Sequence, residues 1–254
     1  MTRQTPSETL LMELGITEPN EIDVDLIAHY VGVKVKYDEL HGCEARLVGY
    51  HDRAVVTIRK RTTPTRQRFS VAHELGHWHH HRGRSFECRV EDIEEKYNTK
   101  PEEERVADQY AANLLMPNYI FLPIAKEYSV HSFNSINELA NAFNTSPIAT
   151  AIRLVDSNTI PSILICHGKN GRKWFKRSTD IPRRWFPKYE LDVDSFAFEA
   201  LYGNKDQARP QKIGADAWFD RREAERYDIF EHSIQSGNDS LTLLILENED
   251  MLEG

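Results

Sequence analysis

His73-Glu74-Leu75-Gly76-His77 forms an HExxH in which two imidazoles lie four residues apart. On a helix they share one face, one turn apart, and clamp a metal ion between them. Glu74, beside the first histidine, is placed to take a proton from a water on that ion. Five residues thus supply two ligands and the general base of a metal-assisted hydrolysis. The motif is short enough to arise by chance in an unrelated helix, so its surroundings decide.

Phe69, Ala72, Leu75 and Gly76 recur at helical spacings, with Thr63 as N-cap, Pro64 as first helical residue and Gly83 as a stop. A catalytic zinc site needs a third protein ligand and keeps one position open for water. That ligand is expected on a second helix, Pro101 to Met116, opened by Thr99 and Pro101 and ended by Pro117. Glu104, Ala107, Asp108, Ala111 and Leu115 share a face there, the alanines permit close approach, and Glu104 meets the histidines. Glu102 and Glu103 read as a solvated acidic first turn. His79, His80 and His81 read as packing or surface residues at the helix end, because a site filled with histidines would close the water position.

The run RFSVAHELGH, followed by Glu104-x-x-Ala107-Asp108-x-Tyr110-Ala111-Ala112-x-Leu114-Leu115-Met116-Pro117, resembles the ImmA/IrrE family of gluzincin-type metallopeptidases. The likeness extends back to an Asp23–Ala28 helix and a Gly32–Val35 strand. It implies one Zn2+ per chain held by His73, His77 and Glu104, Glu74 as catalytic base, and Asp108 as the acid that fixes an imidazole tautomer. Tyr110 and Tyr97 are candidate oxyanion donors, with a core or solvated tyrosine as the alternative for each. The resemblance also implies a protein substrate among helix-turn-helix (HTH) transcriptional repressors.

The chain has 254 residues, 40% of them hydrophobic, which suffices for one or two cored domains. Cys43, Cys88 and Cys166 are odd in number and lack CxxC spacing, so neither a disulfide framework nor a cysteine-zinc site is indicated. With no signal-like apolar segment at the N-terminus and no long apolar run, a cytoplasmic protein without membrane association is expected. The formal charge of −8 argues against general nucleic-acid coating, and sixteen basic and twenty acidic residues on each side of Pro117 leave neither half a basic module.

The expected fold class is α+β in three parts. Residues 1–117 form a zincin-like metallopeptidase domain, a small sheet packed on the HExxH helix and the ligand helix. Its strands are Val33–Tyr37, Leu47–Tyr50 and Ala54–Ile58, and Ala54–Ile58 or its neighbour is a candidate peptide-binding edge, with a fully paired structural strand as the alternative. Residues 118–156 form a helical HTH-like subdomain of Ile136–Phe143 and a helix opened by Ser146-Pro147. Only Lys126 and Arg153 oppose three acids there, so no nucleic-acid-binding residues are assigned and direct DNA binding is not expected. Residues 157–254 form a mixed α/β module, sensor-like as in longer family members and thus a place for a regulatory ligand or partner. Its expected strands are Ser162–Cys166, Arg172–Lys176, Ala217–Phe219, Ile229–Ile234 and Leu241–Leu246. Lys169–Lys188 holds eight basic residues against one acid, interleaved with Trp174, Phe175, Trp185 and Phe186. That pattern suits an anionic ligand, but ordinary amphipathic strands produce it too, and that reading is preferred.

The resulting functional expectation is an intracellular zinc-dependent endopeptidase, with an HTH-type repressor as the substrate that the resemblance implies. The alternatives are a non-proteolytic repressor-binding or sensor protein with a fold-bracing metal, and a toxin-antitoxin component. An intact Glu74 favours chemistry, since a structural metal needs no general base.

Overall fold

The computed structural model describes residues 4–82, 86–88, 101–128, 131–203 and 205–253. Gly83, Tyr97, Thr99 and most of the acidic stretch before Glu104 lie outside them. Two compact units emerge, one of Met1–Pro123 with Ala140–Ser146, the other of Ile124–Leu139 with Pro147–Gly254. The expected boundaries at 117 and 156 do not coincide with these, because residues 118–156 are divided between the units.

In the first unit, α1 (Pro6–Glu13) opens on a capping box. Thr5 Oγ1 accepts from Glu8 N, and Glu8 Oε2 accepts from Thr5 N at 3.0 Å. The other oxygen of Glu8 accepts from Asn118 N at 2.7 Å, so one buried carboxylate also caps α5 (Asn118–Lys126). Helix α2 (Val24–Tyr30) is capped by Asp23 and ends at Gly32, whose φ of 83° suits glycine. A Cβ on Gly32 would sit 2.7 Å from the Asp52 carbonyl oxygen, so no side chain fits there.

Strands β1 (Val33–Asp38), β2 (Ala45–Tyr50), β3 (Arg53–Arg59) and β4 (Phe86–Cys88) make one sheet in the order β1-β3-β2-β4. β1 runs parallel to β3, and β2 antiparallel to both β3 and β4. Ala54–Ile58 is therefore the fully paired strand of the two alternatives, since β3 is paired on both sides, and among the described residues the edge falls to its neighbour β1. Alternation along β3 buries Ala54, Val56 and Ile58 on the face where Leu47 and Ala45 of β2 are also buried. Helix α3 (Pro64–His80) lies on β2 and β3. Each fully buried aliphatic side chain in such a layer contributes about 1.5–3 kcal/mol.

Thr63 and Pro64 start α3 as their types require, Thr63 Oγ1 accepting from Arg66 N. Gln67 Nε2 donates to Arg59 O and Lys60 O, and Trp78 Nε1 donates to Val31 O. The helix is thereby held to the sheet at one end and to the end of α2 at the other. It stops at His80, with His81 as C-cap, earlier than the expected Gly83. Helix α4 (Glu102–Leu115) packs along α3, where Gly76 faces Ala107.

Helices α5 and α6 (Phe133–Phe143) straddle the unit boundary, and α7 (Pro147–Asp156) belongs to the second unit. The helix pair expected near 136–154 is present, with Asn144 at φ 51° in the turn. The second unit is built on an antiparallel sheet of β5 (Ser162–Gly168), β6 (Gly171–Arg177), β7 (Gln211–Gly214), β8 (Asp228–Ser236) and β9 (Asp239–Ile245) in the order β6-β5-β9-β8-β7. Ala217–Phe219 is not a strand. Ala215–Ala217 forms a 3-10 turn that sends Trp218 and Phe219 into a core with Ile163, Ile165, Trp185 and Leu244. Helix α8 (Phe196–Tyr202) is held by fully buried Glu231, which accepts from Ala197 N, Trp218 Nε1 and Ser233 Oγ at 2.6–2.7 Å. A short α9 (Glu249–Leu252) closes the chain.

The basic stretch Lys169–Lys188 contains β6, whose residues are mostly half-buried rather than alternating, and several of its lysines have partners. Trp185 is in the core, and Lys173, Lys176 and Lys188 pair with Asp239, Asp156 and Asp192 at 2.7–2.9 Å. No helix among the described residues is long and apolar enough to cross a membrane.

Candidate metal centre

α3 presents His73 and His77 one turn apart, and α4 brings Glu104 to them. The approach is possible because residue 76 is glycine: a Cβ there would lie 2.8 Å from Ala107 Cα and 3.0 Å from Ala107 O. Glycine inside a helix costs about 1 kcal/mol relative to alanine, and that cost in the sequence was the available signal for the contact.

His73 Nε2 and His77 Nε2 are 3.1 Å apart. Glu104 Oε2 lies 3.1 Å from His73 Nε2, and Glu104 Oε1 lies 3.2 Å from His77 Nε2. Ligands of a tetrahedral zinc, at 2.0–2.2 Å from the ion, stand about 3.3 Å from one another. Two imidazole nitrogens and a carboxylate at these separations therefore fit such an ion. Among the described residues, these three form the one group of metal-ligating side chains whose donor atoms lie within 4.8 Å of one another.

Asp108, one turn after Glu104, reaches His73 from behind, its Oδ1 at 2.9 Å from Nδ1. An Nδ1–H donating to that carboxylate leaves the Nε2 lone pair for a metal. The electrostatics favour positive charge at this point. Burial works against a charged His73, but the bonds to Asp108 and Glu104 and the nearby charge of Glu74 outweigh it and hold its pKa at about 9. Burial likewise works to raise the Glu104 pKa, yet the two histidines bring it below the usual carboxylate range. A cluster that gathers a proton so strongly also suits a cation.

Glu74 follows His73 on α3 and is fully buried. Tyr110 does not join the group. It lies six residues after Glu104, roughly a third of a turn off the ligand face. Its ring stacks on His79 at 5.4 Å and meets His80 edge-on at 5.9 Å, and burial pushes its pKa up to about 12. Tyr97 is outside the described residues. His79 and His80 are exposed, as expected of surface residues at a helix end, whereas His81 is half-buried with its ring 5.6 Å from that of His77.

A helix-borne HExxH joined by a carboxylate from a neighbouring helix is the arrangement of a metallopeptidase-type centre. A family model described as Peptidase_M78, IrrE N-terminal-like domain, matches residues 28–155. The chain belongs to this family, whose name denotes a peptidase class. Among solved structures it is similar to a Mycobacterium tuberculosis transcriptional regulator, with a TM-score of 0.61 and 15% identity over 94% of this chain and 74% of that one. At that identity the likeness concerns the fold. No curated protein matches the chain.

Proposed function

We propose that this protein is a zinc-dependent endopeptidase whose substrate is an HTH-type transcriptional repressor, cleaved to relieve repression in the cytoplasm. The convergence of His73, His77 and Glu104, with Glu74 next to the first of them, carries the reading. When bound, the metal acidifies a water and polarises the scissile carbonyl. The protein's own groups do the rest. His73 and His77 would hold the ion together with Glu104, and Asp108 holds the His73 ring in the tautomer that leaves Nε2 free for it. Glu74 accepts the water's proton as its oxygen bonds to the carbonyl carbon, then returns it to the departing amine.

The repressor assignment rests on what the resemblance to the ImmA/IrrE family implies, together with membership of the peptidase family. It is tested by incubating the zinc-loaded protein with repressors encoded beside its gene and mapping fragments by mass spectrometry. One discrete cut supports the assignment; intact repressors throughout would refute it. The full burial of Glu74 favours a second reading, a repressor-binding protein whose metal braces the fold. In that case repressor is sequestered without fragments. The second unit is proposed to regulate or recruit, since every residue assigned to the metal lies in the first.

A further inference from the structure

We propose that the second unit holds a binding site for a small aromatic monocarboxylate, with Arg172 taking the carboxylate and the rings of Tyr189 and Phe186 taking the ligand's ring. Arg172, Phe186, Lys188, Tyr189, Glu190 and Asp220 line a surface cavity of about 470 Å³, a volume in the range of small-molecule sites. All of them belong to the second unit, so the proposal is independent of the metal centre.

The charges select the ligand. Lys173, Lys176 and Lys188 each have a carboxylate at 2.7–2.9 Å. Arg172 has none among the described residues, although it is half-buried and burial works against its charge. Its Nη1 donates instead to the Pro187 and Lys188 carbonyl oxygens, which fixes the guanidinium and leaves its charge uncompensated. Across the strand pair His167 is fully buried, and burial, aided by the Arg172 charge against the Lys188 and Tyr189 carbonyls, pulls its pKa down to about 4. His167 is therefore neutral, and Arg172 is the cation left for a ligand. Glu190 and Asp220 are exposed at the same cavity, without an ion pair among the described residues. They repel a dianion such as a phosphate ester more than a monoanion, whose single charge Arg172 neutralises.

The rings are in place before a ligand arrives. Gly171 has φ 105°, and a Cβ there would lie 2.5–2.9 Å from three atoms of the Tyr189 ring. That ring is thus laid on glycine backbone while the residue stays 59% exposed. Arg172 N donates to Tyr189 O at 2.7 Å and holds the same residue from its backbone. Phe186, 54% exposed, is fixed by the Arg172 guanidinium 4.5 Å from its ring centroid and by Phe175, edge-on at 5.1 Å. Two held rings beside an uncompensated guanidinium are pre-organised for a flat anion, because little side-chain freedom is lost on binding.

The probe is benzoate, titrated into the zinc-loaded full chain by ligand-observed NMR, with benzamide and benzylamine as its neutral and cationic counterparts. Saturable benzoate binding is expected, about ten-fold tighter than either counterpart and unchanged when a chelator removes zinc. Arg172→Gln should weaken it about 10–100-fold. Because that substitution also frees the Pro187 and Lys188 carbonyls, two exposed positions decide independently. Tyr189→Ala should weaken benzoate about five-fold, and Asp220→Asn should tighten it about two-fold. No saturable binding, a preference for benzylamine, loss of binding with zinc, or an affinity unmoved by Tyr189→Ala and Asp220→Asn would overturn the proposal. Loss with zinc would put the carboxylate on the metal and leave the hydrolytic reading standing.

Discussion

Asp108 Oδ1 stands 2.9 Å from His73 Nδ1, on the side of the ring opposite the nitrogen that meets His77 and Glu104. One carboxylate thus decides which nitrogen of His73 is available. Asp108→Ala is expected to lower zinc affinity about 10–100-fold without removing a ligand. Chelator competition measures it, and an unchanged affinity would reject the orienting role.

Glu104 bridges both histidines, so Glu104→Ala leaves two imidazoles, too few for a stable site. Bound zinc should fall to a small fraction, while Glu103→Ala, outside the triangle, should change it little. Elemental analysis of the purified variants checks this; full zinc in the Glu104 variant contradicts the ligand set.

Gly76→Ala would put a methyl 2.8 Å from the Ala107 backbone and force α3 and α4 apart. A destabilisation of about 1–3 kcal/mol is expected, with weaker zinc binding, because Glu104 moves with α4. Thermal unfolding and metal titration read the two effects. A variant stabilised by its better helix propensity would show that the packing can yield.

His232 supplies a pH dependence in the second unit. Its Nδ1 accepts from Phe133 N at 3.1 Å, so its proton sits on Nε2, facing Gln207 O at 3.0 Å. Burial lowers its pKa below the ordinary 6.5, outweighing the Gln207 carbonyl and Asp206. As pH falls below about 6.5 the unfolded chain takes up the proton first, so this contribution to stability is full above that value and lost below it. Denaturant unfolding across pH 5 to 8 should therefore show a steeper acid loss for the parent protein than for His232→Gln. Parallel curves would exclude the effect.

Cutting the chain after Leu154 keeps every residue assigned to the metal but strips Ile124–Leu139 and Pro147–Leu154 of the sheet residues in their own unit, His232 among them. The shortened protein is expected to be poorly soluble although its zinc ligands are intact. A cut chain as soluble and stable as the full one would show that residues 124–154 do not need that sheet.

Much of the site was legible because its information is local. Thr63-Pro64 announces α3, and the four-residue steps 73 to 77 and 104 to 108 put partners on one face of each helix. The capping box Thr5-x-x-Glu8 is an equally local signal; α1 lies beyond the expected elements, as do α8, α9 and the four-residue β7. What sequence could not disclose depends on distant pairing. The parallel docking of β1 onto β3 decides which strand is an edge, and Glu231 holds α8 from 34 residues away. Ala217–Phe219 misled for a related reason, since its aromatic residues are apolar to fill a core from a 3-10 turn rather than to alternate along a strand.

The most direct test pairs two numbers for Glu74→Gln: zinc per chain and the rate of repressor cleavage. The amide cannot accept the water's proton, whereas His73, His77 and Glu104 are untouched. The account predicts zinc equal to that of the parent protein and cleavage reduced to background. Cleavage at the parent rate with full zinc would contradict it.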